Sequence, residues 1–201
     1  MIIKICGMRE ADNIREIEEI GPDLMGFIFW EGTKRNVSSI PDYMPSRCKR
    51  VGVFVDADEE FISTHVKKYK LDFIQLHGHE TPAFCERLHQ VLPDIKIIKA
   101  ISVKDTDDIR NANVYNGVAD YFLFDTKCKC VGGSGEQFDW DILNNYENDI
   151  PFLLSGGIGP EDVERVKAFK HPMMIGIDLN SKFELSSALK DVVTLKEFKN
   201  N

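Results

Sequence analysis

Eight short apolar runs rich in β-forming residues recur at intervals of about 20–30 residues, the length that one strand, one crossover helix and two short loops consume. They are Ile2–Cys6, Leu24–Phe29, Arg50–Val55, Phe73–His77, Ile95–Ile101, Tyr121–Asp125, Pro151–Ser155 and Met173–Asp178. Their hydrophobicity is continuous rather than alternating, so they do not fit antiparallel strands with one face in water and instead predict parallel strands covered on both sides. Helical periodicity follows most of them: Ala11, Ile14, Ile17 and Ile20; Ile62, Val66 and Tyr69; Phe84, Leu88 and Val91; Val163, Val166 and Phe169; Leu189, Val192 and Leu195. Thr81-Pro82 and Gly159-Pro160 place proline at a first helical position, and Asp12, Glu161 and Asp162 put carboxylates in first turns, where they suit the helix dipole. After the second run, Pro41 and Pro45 leave little room for a helix. The pattern predicts a single-domain (β/α)8 TIM barrel over residues 1–201, with an open doubly wound sheet as the alternative.

A hydrophobic content of 43% over 201 residues is ample for such a core. The balance of 25 Lys and Arg against 33 Asp and Glu gives a net charge of −8, and the basic residues are scattered, which argues against nucleic acid or an anionic membrane as partner. No basic stretch leads into an apolar stretch and cleavage site at the N-terminus, and nowhere do about eighteen apolar residues run together, so the cytoplasm is the expected compartment. Cys6, Cys48, Cys85, Cys128 and Cys130 are odd in number and irregularly spaced, which suits reduced thiols.

In a parallel barrel the active site lies at the C-terminal ends of the strands, so the residue ending each run bears on function. These ends are Cys6, Asp56, His77, Asp125, Ser155-Gly156-Gly157 and Asp178. Cys6 is thereby predicted at the rim, with Gly7 permitting a sharp exit, although a small buried thiol also serves as an ordinary packing residue. SGGIGP after the seventh run and LNSKFE after the eighth supply backbone N–H groups, the second by opening a short extra helix; together they predict a phosphate site after strands 7 and 8. The glycine-rich segment Lys127–Phe138 after the sixth run is long for so compact a chain and is expected to be a mobile segment over the site.

Other constellations carry less. His77-Gly78-His79-Glu80 has the residue types of a metal site, but no further ligand set accompanies it, so no metal is expected. Cys128-Lys129-Cys130 lacks a second pair, and Gly132-Gly133-Ser134-Gly135 lacks the lysine and flanking helix of a phosphate-binding P-loop. Asp56-Ala57-Asp58 is expected to end a strand and cap the next helix.

KICGMRE, GFIFWEGTKRNVS, VGVFVDA, QLHGHE, FLFDTKCKCVGGSGEQFDW, SGGIGPEDV and GIDLNSKFE, in that order along essentially the whole chain, resemble phosphoribosylanthranilate isomerase. The resemblance implies an Amadori rearrangement in L-tryptophan biosynthesis that converts N-(5-phosphoribosyl)anthranilate to 1-(2-carboxyphenylamino)-1-deoxyribulose 5-phosphate. It implies Cys6 as general base and Asp125 as general acid, Arg35 near the anthranilate carboxylate, Gln75 and His77 in the substrate site, and Asp178 near the ribose hydroxyls. Gly156, Gly157 and Ser181 match the phosphate cradle, and no metal or redox cofactor is implied. One departure is Lys182, which stands where the family's S-S-G-V-E carries glycine; its N–H and ammonium are candidates for added phosphate contacts.

Two rival functions are weighed against this. Indole-glycerol-phosphate synthase chemistry calls for a lysine acid at a strand end, where this chain offers Cys6 and Asp125, and a silent ligand-binding barrel has no need of both. The expected partner is a small phosphorylated molecule, and the expected assembly a monomer or homodimer.

Overall fold

Strand closure organises the molecule. The computed structural model describes residues 1–126 and 137–201. Within them, β1 (Ile2–Ile5), β2 (Leu24–Ile28), β3 (Lys49–Phe54), β4 (Phe73–Leu76), β5 (Lys96–Val103), β6 (Tyr121–Thr126), β7 (Phe152–Leu154) and β8 (Met174–Leu179) form a closed barrel in chain order. Every neighbouring pair is parallel, and β8 returns onto β1 with Ile2 opposite Gly176 and Ile5 opposite Leu179. All eight predicted runs are strands, which favours the barrel over the open sheet.

The continuous hydrophobicity has its cause in two cores. Leu24, Val51, Val53, Ile98, Ala100, Leu123 and Leu153 fill the barrel interior. Alternate residues of the same strands, among them Phe54, Ile74, Ile97, Phe122, Phe124 and Phe152, pack outward under the helices. With both faces of a strand dry, most residues on either face are apolar, and the period-2 signal disappears.

Six helices follow strands: α1 (Ala11–Ile20), α2 (Glu59–Tyr69), α3 (Pro82–Val91), α4 (Thr106–Asn111), α5 (Val163–Ala168) and α6 (Val192–Asn200). Their starts are set by local chemistry, as Asp58 accepts from Phe61 N at 2.7 Å and Thr81 accepts from Phe84 N ahead of Pro82. No helix joins β2 to β3, as the two prolines predict.

One sequence expectation is corrected and two are refined. Pro160 opens a 3-10 turn over Pro160–Asp162, and the α-helix begins only at Val163. Leu189 fits the period of the last helix but stands before it, in an antiparallel hairpin of β9 (Glu184–Ser186) and β10 (Leu189–Lys190). The helix starts where Asp191 takes up the N–H groups of Val193 and Thr194, each at 3.1 Å, which leaves Leu189 outside it. The short helix expected after β8 is a single 3-10 turn over Ser181–Phe183.

The closing seam is tight. A Cβ on Gly176 would lie 2.2 Å from the Ile2 carbonyl oxygen, where β8 also shifts register against β7. Gly176→Ala is therefore expected to destabilise the barrel by about 1–3 kcal/mol, the usual cost of overpacking, seen as a lower thermal midpoint. An unchanged midpoint would show that the seam can give.

Candidate active site

The C-terminal ends of the strands open into a cleft. All nine site residues expected from the sequence line it: Cys6, Arg35, Gln75, His77, Asp125, Gly156, Gly157, Asp178 and Ser181.

Cys6 follows β1, and its N–H donates to Leu179 O at 2.9 Å, which ties it to the closing strand. It is buried beside a group the sequence reading missed. Lys4, two residues earlier on the same strand face, is wholly buried, and its Nζ lies 2.8 Å from Asp178 Oδ1. Asp178 Oδ2 is 3.3 Å from Ser155 Oγ. Burial pushes the Cys6 thiol above its ordinary value, and the neighbouring Lys4 ammonium offsets this only in part. Burial works against the charge on Lys4, yet Asp178 and Cys6 together raise its pKa.

Asp125 stands near the end of β6. Its Oδ1 accepts from Thr126 N at 2.8 Å, and its Oδ2 lies 3.3 Å from His77 Nε2. Gln75 Nε2 is 2.8 Å from His77 Nδ1. With the Gln75 amide assigned as donor, the neutral ring carries its proton on Nε2, directed at Asp125. Gln75 Oε1 is buried and has no hydrogen-bond partner among the described residues.

The HGHE stretch divides. His77 enters the site, whereas His79 is 94% exposed and Glu80 is buried, accepting from Asp56 N, Gly78 N and Lys99 Nζ at 3.0 Å each. Among the described residues no group of three or more His, Cys, Asp or Glu side chains is placed to hold a metal ion.

The exits of β7 and β8 line the same mouth. Gly156 and Gly157 have φ of 89° and 72°, a region that favours glycine. Ser181 opens the turn after β8 and lines the same cleft, while Lys182 is exposed and does not. Arg35, from the β2–β3 connection, is engaged by Glu184: Nε lies 2.9 Å from Oε1, and the second terminal nitrogen 2.6 Å from Oε2. The expected mobile segment, Lys127–Phe138, falls mostly on residues 127–136, outside the described ones. Of its end, Gln137 Nε2 donates to Gly157 O at 3.0 Å, and Phe138 is buried.

Comparison with known proteins decides the family. The family model for N-(5'-phosphoribosyl)anthranilate (PRA) isomerase matches residues 3–201. The chain belongs to the phosphoribosylanthranilate isomerase family. It is 48% identical over 200 residues to an N-(5'-phosphoribosyl)anthranilate isomerase from Phocaeicola vulgatus, covering 100% of this chain and 97% of that one. A relative of the same description from Parabacteroides distasonis is 47% identical, with 98% and 91% covered. The solved phosphoribosyl anthranilate isomerase from Thermus thermophilus superposes with a TM-score of 0.84 at 27% identity, covering 98% of this chain and 96% of that one. Another family structure, in complex with reduced 1-(o-carboxyphenylamino)-1-deoxyribulose 5-phosphate, superposes at 0.80 with 28% identity over 100% and 98% of the two chains. The chain is an isomerase of tryptophan biosynthesis.

The raised Cys6 pKa leaves less thiolate at any given pH than a free thiol would have. Alkylation of Cys6 in the ligand-free protein, followed by peptide mass spectrometry, is expected to rise with pH through a midpoint above the ordinary thiol value of about 8.5. A midpoint below it would show a thiolate already stabilised in the empty site.

Proposed function

We propose that Cys6 and Asp125 act as base and acid in the internal Amadori rearrangement of N-(5-phosphoribosyl)anthranilate to 1-(2-carboxyphenylamino)-1-deoxyribulose 5-phosphate. The observation that carries this is the meeting of a buried thiol, a half-buried carboxylate, the Gly156-Gly157 turn and Ser181 in one mouth. Cys6 follows β1 and Asp125 stands in β6, with β7 and β8 between them, so a sugar held in the cleft meets one on each side.

In this reading Asp125 gives a proton to the ribose ring oxygen. The C1′–O bond breaks, and the nitrogen lone pair forms the C1′=N⁺ iminium. The Cys6 thiolate then takes the C2′ proton, and the electron pair left behind forms C1′=C2′ as nitrogen regains its lone pair. Loss of the C2′ hydroxyl proton and protonation at C1′ complete the ketone, with no net oxidation, so the chemistry calls for no metal or redox cofactor. Burial of Cys6 disfavours its thiolate in the empty site. The iminium, one bond from the proton to be removed, and Lys4 behind the sulfur supply the positive charge that counters this. The His77 Nε2–H steadies the Asp125 carboxylate left after its proton departs.

Gly156, Gly157 and Ser181 hold the phosphate through backbone N–H groups and a hydroxyl, Arg35 takes the anthranilate carboxylate, and Gln75 and Asp178 serve the sugar. The cytoplasm is the proposed compartment, and no described helix is long and apolar enough to cross a membrane. The assembly is a monomer or a homodimer; one solved structure at 28% identity is of monomers generated from the dimeric phosphoribosylanthranilate isomerase of Thermotoga maritima.

Asp125→Asn preserves shape but cannot deliver the proton. It is expected to cut turnover by roughly 10²–10⁴-fold while the reduced product analogue binds with near wild-type affinity in calorimetry. Affinity falling in step with turnover would reduce Asp125 to a scaffold.

A further inference from the structure

The hairpin between β8 and α6 carries two charged residues that the chemistry above leaves unused. Lys190 ends β10 and is fixed at the backbone by Asn13 of α1, whose amide accepts from Lys190 N at 2.7 Å and donates to Lys190 O at 3.0 Å. Its buried Nζ meets three acceptors: Asn180 Oδ1 at 2.7 Å, Asn180 O at 3.3 Å and Glu184 Oε1 at 2.7 Å. Three acceptors are what a fully protonated ammonium requires, although burial pulls its pKa down. Glu184 begins β9, and its Oε1 also accepts from Ala188 N at 3.2 Å. Burial alone would raise the Glu184 carboxyl, but Arg35 and Lys190 hold it below the ordinary range. The carboxylate therefore stays ionised and is pinned from the hairpin side.

On its other side Glu184 grips one edge of Arg35, through Nε and one terminal nitrogen. A guanidinium has two usable edges, and the second, carrying the remaining terminal nitrogen, has no hydrogen-bond partner among the described residues. That residue lines the cleft. The cluster holds two cations against one carboxylate, a surplus of positive charge at the mouth. It is pressed against the exit of β1: a Cβ on Gly7, where φ is 78°, would fall 2.8 Å from Asn180 Oδ1 and 3.0 Å from Arg35 Cδ. Only glycine there lets the cluster close up beside Cys6.

We infer that Glu184, braced by Lys190, is a positioning residue that sets the Arg35 guanidinium with its free edge toward the cleft, and so sets the preference for a substrate carrying an aromatic carboxylate. The inference rests on the reading of Arg35 as the group that meets the anthranilate carboxylate. A long arginine side chain left unbraced must be ordered by the ligand itself, and bracing removes that cost from binding. The competing arrangement, in which Glu184 blocks Arg35 and competes with the ligand, predicts the opposite sign.

Calorimetry with two stable ligands separates these. One is the reduced product analogue, which carries the carboxylate; the other is the same phosphorylated aminosugar with a plain phenyl ring. Arg35→Met is expected to weaken the first by more than about tenfold and the second by less than about twofold. Glu184→Ala is expected to weaken the first by roughly fivefold, to spare the second, and to add nothing in the Arg35→Met background. Retained affinity for the phenyl ligand certifies an intact site. Should Glu184→Ala not fold because Lys190 is left unpaired, Glu184→Gln, which keeps the shape, is expected to show the same selectivity at smaller size. Equal weakening of both ligands by Arg35→Met overturns the reading of Arg35, and the inference with it. A selective Arg35→Met beside a Glu184 variant that weakens both ligands alike, leaves both unchanged, or tightens the carboxylate ligand overturns the inference alone.

Discussion

The seam between β8 and β1 is the constraint on which the site depends. There Lys4 and Asp178 are partners in register, and their side chains meet at 2.8 Å with Lys4 wholly enclosed. A buried ion pair adds little stability over an apolar pair, but removing one member strands a charge and costs about 3–5 kcal/mol. The pair therefore ties closure of the barrel to the electrostatics of its mouth: the strand pairing that completes the sheet also puts an ammonium behind the Cys6 sulfur and a carboxylate beside the Ser155 hydroxyl. A break in the seam would undo the fold and the charge beside Cys6 together.

From that seam the polar groups divide by task around the rim. The β4 and β6 side carries His77 and Asp125, a proton-bearing pair fixed from behind by Gln75. In the proposed reading the β7 and β8 exits bind the phosphate, and Glu184 of the hairpin beyond β8 holds Arg35. Two anionic ends of one ligand would then be held at separate places, with the sugar between them at the thiol and the acid.

The barrel was legible in the amino-acid sequence because strands dry on both faces are mostly apolar, and eight such runs leave few other topologies. Cys6 and Asp125 were legible because they close apolar runs and sit in motifs that match the family. What escaped is mostly non-local. Lys4 stands in view in IIKIC, but its partner is 174 residues away, and a single lysine in a strand does not announce one. The β9–β10 hairpin was hidden because Leu189 happens to fit the period of the helix beyond it. α4 was missed because TDDIRN offers one buried apolar residue, Ile109, and depends on an Asp105 and Asp108 capping box instead of an amphipathic stripe.

The central claim is that the thiol beside the seam removes the C2′ proton. It is tested most directly by single-turnover measurements on Cys6→Ser with substrate bearing hydrogen or deuterium at C2′. A hydroxyl fills the same space but is a far poorer base, so proton abstraction should slow by roughly 10²–10⁴-fold and become rate-limiting, with a primary isotope effect on the observed rate. A Cys6→Ser enzyme that turns over within a few-fold of wild type, with no isotope effect, would contradict the account.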